Sequence, residues 1–181
     1  MYVFCYGSNN PHQLSERLTT TIPDIMERSI SCTLQNYQRV FAYRSRKWNG
    51  SVASVVPVDG AECQGYAVLL SPEEIKRLDV FESYPIMYDR VTVQLMNHQT
   101  NDLVEGLVYV MNLRDEFVEP SEAYITACSK TFSTHHYLRN QETFKNNELD
   151  YDYDIYDGVS LQLIKTIKVT ASIDFLNLSK E

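Results

Sequence analysis

Two features of this chain carry residue types that could do chemistry: a turn able to seat an anion, and a carboxylate able to move a proton. Tyr6-Gly7-Ser8-Asn9 follows directly on the apolar run Tyr2-Val3-Phe4-Cys5. A short apolar run ended by Gly-Ser-Asn reads as a buried strand that stops abruptly. Gly7 allows a turn where a side chain would block the backbone. Asn10-Pro11 then supplies a helix N-cap and a proline at the first helical position. Such a turn aims successive backbone N–H groups at one point, beside the positive end of a helix. That is a seat for a carboxylate or a developing oxyanion. The same residues also suit a plain strand-turn-helix connection.

The carboxylate is Glu82. Ser71-Pro72-Glu73-Glu74 forms a capping box with proline at the first helical position. From there Ile75, Leu78 and Glu82 recur at i, i+3 and i+7, on one helix face. Ile75 and Leu78 must point into the core, which turns Glu82 inward and Asp79 elsewhere. A carboxylate among apolar neighbours loses solvation, its pKa rises, and it becomes a better base near neutral pH. The alternative places Glu82 past the helix, in solvent with the loop Ser83-Tyr84-Pro85.

The elements that must position these groups follow from periodicity. Strands are predicted at 2–6, 30–43, Val52–Val58, Cys63–Leu70, Tyr88–Met96 and Leu103–Met111, with Asp59-Gly60 as a turn. Helices are predicted at 11–18 and 72–82, and another is opened by Glu119-Pro120-Ser121-Glu122, with Tyr124, Ala127, Cys128 and Thr131 on one face. A polar helical stretch is expected at 134–147, then an acidic, tyrosine-rich segment and a β-like run from Leu161 to Thr170. The pattern is α+β: a small, mostly antiparallel sheet curled into a barrel with a few helices packed around it. The expected division is one domain at 1–147 with a C-terminal extension at 148–181 packed on it.

Composition narrows the function. The chain has 181 residues, 44% of them hydrophobic, enough for a proper core. A formal net charge of −8 argues against nucleic acid, which is bound by clustered Lys and Arg. Cys5, Cys32, Cys63 and Cys128 lack the spacing of a zinc site or redox pair, and each sits in an apolar segment. No apolar stretch is long enough to span a membrane, and no leader is evident. A reducing, cytoplasmic setting is expected. Several motifs fail on inspection. Asp150-Tyr151-Asp152-Tyr153-Asp154 begins like a calcium loop, but Ile155 replaces the required glycine and Leu161 the closing glutamate, leaving a solvated acidic loop. His135 and His136 are adjacent, poor geometry for one metal. Ser8 lacks the G-x-S-x-G elbow of a nucleophile.

In order along the chain, Tyr6-Gly7-Ser8-Asn9, Trp48-Asn49-Gly50, Gln64-Gly65-Tyr66, Leu78-Asp79-Val80-Phe81-Glu82, Tyr88, and Pro120-Ser121 with Tyr124 resemble the gamma-glutamylcyclotransferase family over roughly residues 2–140. The resemblance implies a cavity at one end of the barrel. It implies Glu82 as the catalytic carboxylate, the segment Val3, Phe4, Cys5, Tyr6, Gly7, Ser8 as the loop holding a gamma-glutamyl group, and Tyr124 as a tyrosine closing over the substrate. The implied reaction is intramolecular: the substrate's α-amine attacks its own γ-carbonyl, 5-oxoproline forms and the attached amine leaves. Glu82 would act as general acid and base, without metal or cofactor. The partner would be a small gamma-glutamyl substrate, and a homodimer is allowed for. Three other readings stand beside it: a cyclotransferase for gamma-glutamylamines, a non-catalytic binding domain for a glutamyl-like ligand, and an interaction domain whose acidic C-terminus is the active part. The chain departs from the family pattern at Ser83, where Glu-Gly is usual, at Gly50-Ser51, where Gly-Gly is frequent, and at Asn10, where Leu commonly follows.

Overall fold

The structure, a computed structural model, describes residues 1–112 and 120–129, and the backbone of three further strands between 136 and 172. Five strands close a barrel in the order β1-β3-β2-β4-β5: β1 (Tyr2–Cys5), β2 (Ser29–Ser45), β3 (Gly50–Leu69), β4 (Tyr88–Asn97) and β5 (Leu103–Met111). All pairings are antiparallel except β1 with β5, which is parallel and shuts the barrel. The barrel is therefore mixed. Its strands bury Val3, Leu34, Val55, Val68, Leu95 and Val108, all but inaccessible to water, with Val3 and Val68 on the sheet face opposite Val108. Each such side chain contributes roughly 1.5–3 kcal/mol by leaving solvent.

The helices are α1 (Pro11–Leu18), α2 (Ile22–Glu27), α3 (Pro72–Glu82) and α4 (Glu122–Ser129). Helix α1 starts as its sequence dictates: Asn10 caps the Gln13 N–H at 3.0 Å and Pro11 follows. Helix α3 opens on the complete capping box between Ser71 and Glu74. Helix α4 begins at Glu122, with Ser121 Oγ accepting from the Tyr124 N–H. Glu119 and Thr131, assigned to the same helix, lie outside the described residues. Helix α2, capped by Thr21 with Pro23 in its first turn, is too short to show a helical stripe.

Three expectations need correction. Val52–Val58 and Cys63–Leu70 are not two strands joined by a turn. Both pair antiparallel with β2, so they form the single strand β3. Gly60 does adopt a positive φ of 73°, but in a bulge opposite Asn36, whose Oδ1 accepts its N–H at 3.0 Å. Within the stretch 134–147, residues 136–145 are not helical: they form β6 (His136–Lys145), which pairs antiparallel with β7 (Glu148–Asp157). The acidic segment at 150–154 is then no loop but part of β7, its Asp/Tyr alternation matching a strand's period of two. β7 pairs in turn with β8 (Leu163–Ser172), the β-like run, whose first expected residues, Leu161 and Gln162, lie outside the described residues. Val91, Val93 and Leu95 share one face of β4, opposite Val108, Gly106 and Val104 on β5; Val93 and Leu95 are buried and Val91 is 37% exposed.

Gly65 shows how closely β3 approaches the strand that carries the turn. A Cβ there would lie 2.3 Å from the Cys5 carbonyl oxygen and 2.9 Å from the Phe4 ring. Only glycine admits that contact, which sets β1 against the barrel and so fixes where Tyr6 emerges.

Candidate active site

Tyr6-Gly7-Ser8-Asn9 leaves β1 at one end of the barrel and is tied down on several sides. The Tyr6 hydroxyl donates to the Tyr109 carbonyl, and the Tyr66 hydroxyl donates to the Asn9 carbonyl at 2.6 Å. The Asn10 amide donates to the Ala127 carbonyl at 3.1 Å, anchoring the turn to α4. Asn10 N–H donates to Ser8 O at 2.7 Å, tightening the bend. Among the described residues the N–H groups of Ser8 and Asn9 have no hydrogen-bond partner, and both residues line a cavity at this end.

Glu82 lines the same cavity from the last turn of α3. Ile75 and Leu78 are buried on that helix, and the Glu82 side chain is only 11% exposed. Its immediate partners are polar, not apolar as the spacing suggested. Oε1 accepts from Arg17 Nη1 at 2.8 Å and from Asn9 Nδ2 at 3.0 Å. Asp79 points away, as expected; it accepts from the Tyr109 hydroxyl at 2.7 Å and faces Arg90 at 3.4 Å. Arg17, which lines the cavity and pairs with Glu82, is the residue the sequence reading missed. It sits on α1, and its proximity to Glu82 depends on the packing of α1 against α3, which no spacing rule reveals.

Phe4, Cys5, Tyr6, Gly7 and Ser8 contribute to the cavity wall, whereas Val3 is buried and does not line it. Burial pushes the Cys5 thiol well above its usual range, so it is a neutral wall and not a thiolate. Tyr124 lines the wall opposite Gly7, with its ring edge-on to Trp48 at 5.0 Å and to Phe41 at 6.0 Å. Its hydroxyl accepts from the Ala53 N–H at 2.8 Å. Burial raises its pKa well above the ordinary phenol value, so it keeps a proton to donate. The hydroxyl expected to meet the substrate thus has a structural bond as well. Tyr124→Phe leaves the buried Ala53 N–H bare and should lower stability by about 1–3 kcal/mol in a denaturant melt. An unchanged midpoint would show that the bond contributes nothing.

A model of the family described as gamma-glutamyl cyclotransferase, AIG2-like, matches residues 3–129, most of the chain and every side chain of the cavity. The chain belongs to this family. Among solved structures it is similar to a gamma-glutamyl cyclotransferase, at 19% identity and a TM-score of 0.57, over 71% of this chain and 75% of that one. It is likewise similar to an uncharacterised protein from Homo sapiens, at 22% identity, TM-score 0.56, with 71% and 76% covered. YkqA from Bacillus subtilis aligns at 16% identity, TM-score 0.60, over 72% of this chain and 47% of that one. At these identities the likeness is one of fold. No curated protein matches. Among the described residues no helix is long and apolar enough to cross a membrane.

Family membership clarifies the departure at Ser83. This residue caps α3 in the left-handed region, at φ 51°, with its N–H on the Asp79 and Val80 carbonyls. A glycine takes that conformation without steric cost, which accounts for Glu-Gly being usual here. Serine adopts it under mild strain, and Glu82 keeps its place.

Proposed function

We propose that the protein is a gamma-glutamylcyclotransferase that converts a gamma-glutamyl amino acid or peptide to 5-oxoproline and the free amine. The observation that carries this reading is Glu82: a carboxylate largely withdrawn from water, at the wall of a cavity, beside a turn whose Ser8 and Asn9 N–H groups have no partner among the described residues. The α-ammonium of the substrate gives a proton to Glu82, and the freed amine attacks the γ-carbonyl carbon. The C–N bond of the five-membered ring forms, and negative charge collects on the former carbonyl oxygen. N–H donors of the Ser8-Asn9 turn stabilise that oxyanion. Glu82 then returns its proton to the leaving nitrogen, the old C–N bond breaks, and the second proton of the ring nitrogen passes by way of Glu82 to the departing amine, which leaves as an ammonium. One carboxylate serves as base and acid in turn. Attacker and target share one molecule, so holding the chain folded supplies much of the acceleration.

The leaving group is addressed by charge. The protein is acidic overall, yet the charged side chains lining the cavity are Arg17, Lys47 and Glu82. Arg17 is engaged by Glu82. Lys47, at the exposed end of the β2–β3 hairpin with its ammonium 5.5 Å from the Trp48 ring, has no carboxylate partner among the described residues. An ammonium at the rim attracts the carboxylate of a departing amino acid and repels a cationic tail. This favours gamma-glutamyl amino acids over gamma-glutamylamines. A pure binder of a glutamyl-like ligand would gain nothing from an inward carboxylate.

The test is 5-oxoproline release from gamma-glutamyl-alanine, gamma-glutamyl-ethylamine and gamma-glutamyl-lysine linked through the side-chain amine. The alanine conjugate should have the highest kcat/KM, and Lys47→Glu should cut that advantage at least about threefold, the size of a screened surface-charge effect. Release from none of them would remove the cyclotransferase reading. Equal rates would remove only the assignment of the leaving group.

A further inference from the structure

We propose that Arg17 is a positioning residue that fixes one oxygen of Glu82 so that the other is presented to the substrate amine. The inference rests on the cyclotransferase reading and adds a group that reading does not use. Three side chains close a triangle. Arg17 Nη1 donates to both Glu82 Oε1, at 2.8 Å, and Asn9 Oδ1. Asn9 Nδ2 donates to the same Glu82 Oε1 at 3.0 Å. Among the described residues Oε2 accepts no hydrogen bond. The carboxylate is thus divided into an anchored oxygen and an open one.

The anchor is stiff for identifiable reasons. The Arg17 side chain is 14% exposed, so its ion pair with Glu82 is little screened by water. Its guanidinium lies 5.1 Å from the centroid of the Phe81 ring, beside Glu82 in sequence. A charged, delocalised donor that bonds two acceptors at once restricts both. Asn9 belongs to the turn proposed to hold the oxyanion, so the triangle sets base and oxyanion seat at a fixed separation. A free glutamate rotates about three bonds, and misplacing a reacting group by about 1 Å can cost about 100-fold in rate.

Arg17→Met removes the donors and keeps most of the stem packing. The expected result is a fall in kcat of about 10- to 100-fold with KM changed by less than about threefold, and a partial recovery in Arg17→Lys, which restores a cation and its donors. A raised KM with kcat intact overturns the proposal and makes Arg17 a receptor for the substrate's carboxylate. Unchanged kinetics overturn it too. A nitrogen NMR measurement needs neither turnover nor a mutant of Arg17. The Arg17 Nη resonances should be resolved by hindered rotation in the wild-type protein and should merge in Glu82→Ala, which removes the acceptor. Merged resonances in the wild type overturn the proposal. Should the wild type release no 5-oxoproline, the cyclotransferase reading falls on that result, and the resonances alone decide whether the clamp exists.

Discussion

Glu82→Gln is expected to lower 5-oxoproline release by at least about 100-fold while the protein stays folded, the scale of a lost general base. The substitution isolates proton transfer because little else changes. Gln has the size and shape of Glu, and its amide oxygen still accepts from Arg17 and Asn9, the two donors now on Oε1. Helix α3 remains anchored by Ile75 and Leu78, and its capping box at Ser71 and Glu74 is untouched. What disappears is a basic oxygen facing the cavity. The ion pair with Arg17 is reduced to a neutral hydrogen bond, so a drop of a few degrees in Tm is expected, since about 1 kcal/mol corresponds to about 2–4 °C for a chain of this size. Parallel measurement of kcat and Tm separates the two effects. Turnover close to wild type would sink the mechanism, and the cavity would have to be read as a binding site.

The barrel was legible because its strands obey the period of two and its two main helices announce themselves. Asn10-Pro11 and Ser71-Pro72-Glu73-Glu74 are local signals, and local signals survive folding. Glu82 was found because a seven-residue spacing from Ile75 is a statement about one helix. Other features depend on partners far away in sequence. The continuity of β3 is decided by β2, which pairs with it on both sides of Gly60 and converts a turn signal into a bulge. The polar stretch from His136 to Lys145 has no apolar stripe of either period to declare its state, and its strand pairing with β7 settles it. The alternation Asp150-Tyr151-Asp152-Tyr153-Asp154 was visible, but its charge suggested solvent more strongly than its period suggested a strand. Arg17 on α1 reaches Glu82 on α3, and the Tyr124 hydroxyl on α4 reaches Ala53 on β3; both are contacts of tertiary structure alone.

Gly7→Val should abolish binding of a gamma-glutamyl ligand, with affinity reduced at least about 100-fold. Gly7 is not held in the left-handed region, so its requirement is for space. A Cβ added there lies 3.1 Å from Ala53 Cβ and 3.3 Å from Tyr124 Oη, tighter than ordinary contact before any γ carbon is placed. The backbone cannot retreat, because Tyr6, Asn9 and Asn10 are each hydrogen-bonded to a different part of the barrel or to α4. Nor does Tyr124 yield easily, being bonded to Ala53 and packed edge-on against Trp48. The two γ carbons of valine must therefore enter the cavity beside Ser8 or push Tyr124 out of the wall. Either way the seat for the glutamyl group is lost, and overpacking of this kind also costs about 1–3 kcal/mol of stability. Binding is best read by calorimetry with gamma-glutamyl-alanine in a Glu82→Gln background, where turnover does not interfere. Gly7→Ala is the graded control: it adds only the Cβ, so its loss of affinity should fall between wild type and valine. Undiminished affinity in the valine variant, with the fold intact, would mean that the turn merely joins β1 to α1 and that the oxyanion seat lies elsewhere.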